Sequence, residues 1–214
     1  MDANRIDIKT LCLSLIAILS SEIAIRPLIP GNPIGAITLI GVVRIFQTLL
    51  QLWIVGHIGK GLQNIGLLPS RILSGFKRGV IWSVGFGGVV LIIFTIMAIM
   101  GVRPFDFFTV SLPANGLHVL LLFCIGGVVG PVAEEVFFRG VLYGYMRQWG
   151  VIIAILISTS IFVMVHSSST QVPLPQIVGG IIFALAYEIE KNLMAPITIH
   201  IAGNLAIYTL SLLF

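Results

Sequence analysis

The sequence predicts an all-α fold, a polytopic bundle of about seven transmembrane helices. Three observations predict it. The chain has 214 residues, of which 57% are hydrophobic and 9% charged, where an average soluble domain is about 25% charged. Mean hydropathy is +1.10, so lipid has to be the solvent for most of the surface. The apolar residues fall into runs near the ~20 residues that a helix needs to cross a bilayer, and the runs lack the alternation of transmembrane strands.

Taken in order, the segments are 10–29, 33–55, 79–101, 117–146, 150–167, 174–190 and 193–213. The N-terminus up to Lys9 is polar, and the apolar stretch after it lacks a cleavage motif, so a retained first span is expected. Pro30, Gly31, Asn32 and Pro33 turn the chain into the second span. The connection 56–78 carries Lys60, Arg71, Lys77 and Arg78 beside Leu62, Ile65, Leu67 and Leu68, and is expected on the membrane surface. Pro113, Ala114, Asn115 and Gly116 lead into the fourth span, and Pro173 and Pro175 open the sixth. The chain divides into 1–116, with three spans, and 117–214, together one membrane domain without linker or repeat.

The formal charge is +4, but the Lys and Arg are scattered and follow the spans. They read as a topology signal, and no nucleic-acid partner is expected. With the N-terminus in the cytoplasm, Arg5, Lys9, Lys60, Arg71, Lys77, Arg78, Arg147 and Lys191 fall inside, and Arg26 and Arg103 outside. A multi-pass protein of the cell (inner) membrane with a cytoplasmic N-terminus is the expectation. Cys12 and Cys124 have no partner at metal-ligand spacing and read as small buried hydrophobes.

Ionisable groups inside a membrane are costly and point to function. Here they are Glu22, Arg44, Glu134, Glu135, Arg139, His166 and His200, with Asn204 as a neutral companion. Most fall in the C-terminal half. On a helix Glu134 and Glu135 diverge by about 100°, while Glu135 and Arg139, four apart, share a face and can pair. Gly130 and Pro131 just upstream should weaken or kink the helix. The glycines at 126 and 130, and at 140 and 144, permit close helix approach.

Phe162 shares a face with His166, and His200 with Asn204. A Glu, two His and an Asn converging in a dry bundle suit water activation and oxyanion stabilisation. At ~1.5 Å per residue, His200 lies roughly 12 Å from the inner end of its span, Glu134 roughly 20 Å, and His166 roughly 24 Å from the start of the fifth. Convergence therefore needs a tilted or displaced fifth span.

These residues resemble the three motifs of the CAAX-prenyl-protease and bacteriocin-processing (Abi, CPBP) family of intramembrane peptidases. Glu-Glu-x-x-x-Arg is matched by Glu134, Glu135 and Arg139, Phe-x-x-x-His by Phe162 and His166, and His-x-x-x-Asn by His200 and Asn204. Gly180 and the Ala195–Pro196 pair fit the approach to the third motif. The resemblance covers about 117–210; the earlier spans match only as generic membrane helices.

The resemblance implies an intramembrane endopeptidase cutting a membrane-associated protein or peptide. It casts Glu134 as general base aided by His166, and His200 with Asn204 as oxyanion stabilisers. Glu135, Arg139 and Phe162 are then structural supports. No cofactor is expected, although Glu134, His166 and His200 also form a donor set suited to zinc; the His-Glu-x-x-His signature is absent. Glutamic-type and metal-dependent mechanisms stay open, as do substrate and oligomeric state. The alternatives are a non-catalytic bacteriocin-immunity or scaffold protein of the same fold, and a small transporter using the polar cluster as a proton relay.

The remaining polar residues have plain expectations. His57 and His118 sit at span ends, and Arg44 forms a polar seam with Gln47 and Gln51. Glu22 pairs with Arg26, and Glu188 and Glu190 are solvated. Trp53, Trp82 and Trp149 serve as interface anchors.

Overall fold

The structure, a computed structural model, describes residues 6–107, 110, 112–166 and 173–213. Among the described residues there are seven main helices and no strand. Helix α1 (Ile8–Ile25) starts where Asp7 caps the Thr10 amide at 2.8 Å. Helix α2 (Pro33–His57) starts with Asn32 capping the Gly35 amide and Pro33 in the first turn, where its missing N–H costs nothing. Helix α3 (Ile72–Ile99) begins seven residues before the expected 79, and so takes in Lys77 and Arg78. Helix α4 (Gly116–Trp149) is long and internally broken. Helices α5 (Val151–His166), α6 (Leu174–Glu190) and α7 (Met194–Leu213) follow. Gly150 turns the chain between α4 and α5 at φ +111°, a value L side chains avoid.

Among the described residues, five helical segments are long and apolar enough to cross a bilayer: Ile8–Leu28, Pro33–His57, Leu62–Ile99, Gly116–Trp149 and Met194–Leu213. Helices α5 and α6 have 16 and 17 residues, about 24–26 Å of rise against ~30 Å of hydrocarbon. The chain is a multi-pass membrane protein.

Burial is unequal. All eight residues from Val136 to Tyr143 are buried, whereas the 28-residue α3 buries only Gly75 and Gly79. Those two glycines let α3 lie directly on the start of α7. A Cβ at 79 would stand 2.8 Å from the Ala195 carbonyl oxygen, and one at 75 would collide with the Asn192 side chain.

Several sequence expectations are corrected. The 56–78 connection does not rest wholly on the surface: Ile65 is fully buried, and its side chain lies where a Cβ on Gly140 would stand 3.2 Å away. The small glycine surface makes that insertion fit. Glu22 pairs with Arg44 at 2.6 Å, rather than with Arg26, because α2 packs along α1. Glu188 and Glu190 are not simply solvated. Glu188 accepts from Tyr143, Arg147 and Lys191. Glu190 accepts from the Trp82 indole at 3.0 Å and lies 3.7 Å from Arg78. Cys12 and Cys124 are exposed on outward helix faces, not buried.

Candidate active site

The site is built where α4 departs from α-helical winding. Ile125–Val129 and Val136–Tyr143 are π-helical, and the six residues Gly130–Glu135 between them are α-helical. Each π stretch shifts the phase of the side chains after it, a device often found at functional sites. The kink expected at Gly130 and Pro131 takes this form.

Glu135 and Arg139 are both fully buried, and Arg139 Nη1 donates to Glu135 Oε1 at 2.9 Å. Arg139 Nη2 donates to the Gly180 carbonyl at 3.1 Å. The guanidinium is enclosed by aromatic rings, its carbon 4.8 Å from the Phe162 centroid and 5.2 Å from Phe183. Its charge is met by one carboxylate, one carbonyl and three ring faces, Phe138 at 5.9 Å being the third, which is how so buried a cation is tolerated.

Glu135 Oε1 also receives His200 Nδ1 at 2.8 Å, and His166 Nδ1 faces the Phe162 carbonyl at 2.7 Å. A carbonyl or carboxylate oxygen accepts, so both Nδ1 atoms carry hydrogen and both rings turn Nε2 the other way. They turn it toward the same atom. Glu134 Oε2 lies 3.4 Å from His166 Nε2 and 3.8 Å from His200 Nε2. The side chain of His200 is 6% exposed, those of Glu134 and His166 22% and 29%. The cluster is thus closed on the His200 side and open on the His166 side. The fifth helix reaches Glu134 through His166.

Aromatic rings fix the imidazoles. Phe162 lies 4.4 Å from His166, and Phe183 stacks on His200 at 4.5 Å and 21°. Phe183 was not singled out from the sequence; its only signal is a position one turn beyond Gly180 on the face that meets α7. Asn204 is on α7 one turn beyond His200, and its Nδ2 donates to the Gly126 carbonyl at 2.9 Å. One amide hydrogen of Asn204 is therefore engaged with α4, leaving one for other partners.

For a divalent cation, the two Nε2 atoms and Glu134 are suitable donors in kind and direction. Among the described residues, however, no three His, Cys, Asp or Glu side chains are grouped tightly enough to hold a metal ion as they stand.

Residues 116–206 match the family model of the type II CAAX prenyl endopeptidase Rce1-like proteins. Over these residues the chain is similar to that family. The match covers less than half of the chain but contains every residue of the cluster just described. The membrane-embedded CAAX protease MroQ of Staphylococcus aureus (strain USA300) is 36% identical over 84 residues, 36% of this chain and 34% of its own length. The putative membrane peptidase YdiL of Bacillus subtilis (strain 168) is 32% identical over 87 residues, 40% of this chain and 35% of its own. The UPF0177 protein YxdF of Lactococcus lactis subsp. lactis (strain IL1403) is 29% identical over 89 residues, 42% of this chain and 49% of its own. The matched region thus spans a third to a half of these relatives. No solved structure gives a significant match.

Proposed function

We propose that this protein is an intramembrane endopeptidase that hydrolyses a peptide bond of a membrane-associated protein or peptide through a water activated by Glu134. The observation that carries the reading is the convergence of His166 Nε2 and His200 Nε2 on one carboxylate oxygen of Glu134, at 3.4 and 3.8 Å. A purely structural cluster would join these groups by direct hydrogen bonds. Here the two separations are longer than the direct bonds of 2.8 and 2.9 Å that Glu135 makes, and the more exposed side gives water a way in.

In the proposed reaction, water lies against Glu134 and His166. The Glu134 carboxylate takes one of its protons as the oxygen attacks the scissile carbonyl carbon. The carbonyl oxygen becomes an oxyanion, met by the protonated His200 Nε2 and by the second amide hydrogen of Asn204. The tetrahedral adduct collapses, the C–N bond breaks, and Glu134 returns its proton to the leaving nitrogen. Glu135 and Arg139 hold His200, and Phe162 holds His166. No covalent intermediate is formed. The orientation with the N-terminus in the cytoplasm belongs to the same proposal and rests on the Lys and Arg distribution.

Convergent Nε2 atoms also favour a second reading, in which Glu134, His166 and His200 bind zinc, which would polarise the carbonyl and the water. Chelation separates the two. Activity that persists after exhaustive chelation supports the glutamate-based reaction, and activity that is lost and restored by zinc supports the metal.

The main test compares protein termini in membranes of cells carrying wild type or Glu134→Ala at matched expression. New termini appearing only with wild type are the expected result and name the cleaved bond. Identical termini, with a phenotype that survives the substitution, overturn the peptidase reading in favour of an immunity or scaffold role.

A further inference from the structure

The broken turn that aims Glu134 contains a carbonyl that its own helix cannot satisfy. In an α-helix the Gly126 carbonyl would accept from the Gly130 amide, four residues on; in a π-helix it would accept from residue 131. The Gly130 amide is turned instead to the Ile125 carbonyl. Residue 131 is proline, which has no N–H. Both helical donors of Gly126 are thereby removed, and in lipid an unmet carbonyl costs far more than in water. Asn204 Nδ2, 2.9 Å away, replaces them.

The surrounding packing fits this bond. Gly126 and Gly127 leave α4 bare where α7 crosses: a Cβ at 126 would stand 2.6 Å from the Tyr208 hydroxyl, and one at 127 would stand 2.7 Å from Leu205. Helix α7 therefore lies close enough for a side chain as short as Asn to reach the main chain of α4. The joint is one turn from His200 along α7 and about two turns from Glu134 along α4. It thus fixes the separation of the two groups that stand 3.8 Å apart.

We propose that Asn204 is a positioning residue, whose amide stands in for the N–H that Pro131 lacks and so holds the broken turn of α4 in the register that presents Glu134 to the histidines. This role is separate from any contact of Asn204 with substrate. Its activity arm rests on the peptidase reading above; its melting arm does not, so failure of either can be told apart.

The test is a double-mutant cycle on purified full-length protein in detergent, using Asn204→Ala and Pro131→Ala. In the wild-type background Asn204→Ala should lower the melting midpoint by roughly 2–4 °C, the shift expected for one buried hydrogen bond in a chain this size. It should also reduce kcat with little change in KM, because Glu134 is displaced while the substrate surface is intact. In the Pro131→Ala background, a main-chain N–H becomes available to Gly126 whether the turn winds as α or π. Asn204→Ala should then shift the midpoint by less than half as much, and part of its kcat loss should be recovered. Equal losses in both backgrounds overturn the proposal. So does an Asn204→Ala protein that melts as wild type but is inactive, which would leave Asn204 an oxyanion ligand alone. Should Pro131→Ala not accumulate, the melting of Asn204→Ala and Asn204→Asp decides. Both lack the donor and must melt below wild type.

Discussion

Two polar clusters lie in this apolar bundle, and they are built on opposite terms. In the seam between α1 and α2, Arg44 Nη1 donates to Glu22 and to Gln47 Oε1, each at 2.6 Å. Gln47 Nε2 donates to Ser21 at 2.7 Å and to Glu22 at 2.9 Å. Each donor reaches its acceptor directly, so the seam joins two helices and has nothing left to react. In the C-terminal cluster Arg139 and His200 bond Glu135 Oε1 directly, at 2.9 and 2.8 Å, while Glu135 Oε2 and Arg139 Nε are buried without a hydrogen-bond partner among the described residues. Glu134 stands at the longer separations of 3.4 and 3.8 Å from the two imidazoles, on the more exposed side. The difference teaches that an ionisable residue inside a membrane points to chemistry where its neighbours stand at longer range and the site opens to the outside, as at Glu134 and His166, and to architecture where it is bonded directly and closed off.

The sharpest way to break that comparison is Glu134→Gln. It keeps the shape and removes the base. We expect proteolytic activity to fall by at least about 10²–10⁴-fold, the range for loss of general-base catalysis, with a melting midpoint close to wild type. Activity is read on the bond identified from the termini comparison. A destabilised Glu134→Gln protein would make Glu134 a structural residue like Glu22 and erase the contrast.

Next in size is Arg139→Met. Both Arg139 and Glu135 are fully buried, and removing one member of a buried pair costs about 3–5 kcal/mol because the other charge is stranded. We expect folded yield to collapse, as measured by size-exclusion recovery. Adding Glu135→Gln removes the stranded charge and should restore part of that yield without restoring activity, since His200 Nδ1 loses its carboxylate. Full activity in the double variant would show that Glu135 does not hold His200 for the reaction.

How far the sequence could be read follows from what each feature depends on. Helices and their ends depend on local hydropathy and punctuation, so Pro33, Asn115 and Gly150 mark boundaries the structure keeps. The Glu135–Arg139 pair depends on a four-residue spacing and was equally legible. The π stretches flanking Gly130–Glu135 were foreshadowed only as a kink, because Pro131 shows that a turn breaks and not how the chain rewinds. Pairings across helices were not legible: Glu22 with Arg44 rather than Arg26, Phe183 on His200, and Asn204 on Gly126 are 22, 17 and 78 residues apart. Each depends on how two helices cross. Gly75 and Gly79, with two turns of α3 pressed to α7, were passed over because that stretch read as a charged connection, with Lys77 and Arg78 between the glycines.

On the seam itself, Gln47→Leu removes three of its hydrogen bonds. Intramembrane hydrogen bonds average about 0.6 kcal/mol each, so a loss of about 2 kcal/mol is expected, seen as an earlier melting transition. Catalytic constants should stay at the wild-type level at temperatures where both proteins are folded. A drop in kcat with unchanged melting would mean that the seam couples to the site and is not a passive joint.

The smallest effect should come from the start of α1. Asp7 lies outside the spans, and the Thr10 amide that it caps holds its carboxyl below the usual aspartate range. A depressed folded-state value means that the cap contributes fully above the ordinary Asp value of about 3.9, and that its contribution fades as pH falls through the lower folded value. Asp7→Ala should therefore cost about 1 kcal/mol or less at neutral pH. The difference from wild type should shrink below about pH 4, where the protonated wild-type cap has itself weakened. Melting curves of the two proteins across roughly pH 3–7 check this. A difference constant over that range would assign the effect of Asp7 to chain stiffness or packing and not to its charge. Activity should be untouched in either case, because this cap belongs to α1 and not to α4, α5 or α7, which carry Glu134, His166 and His200.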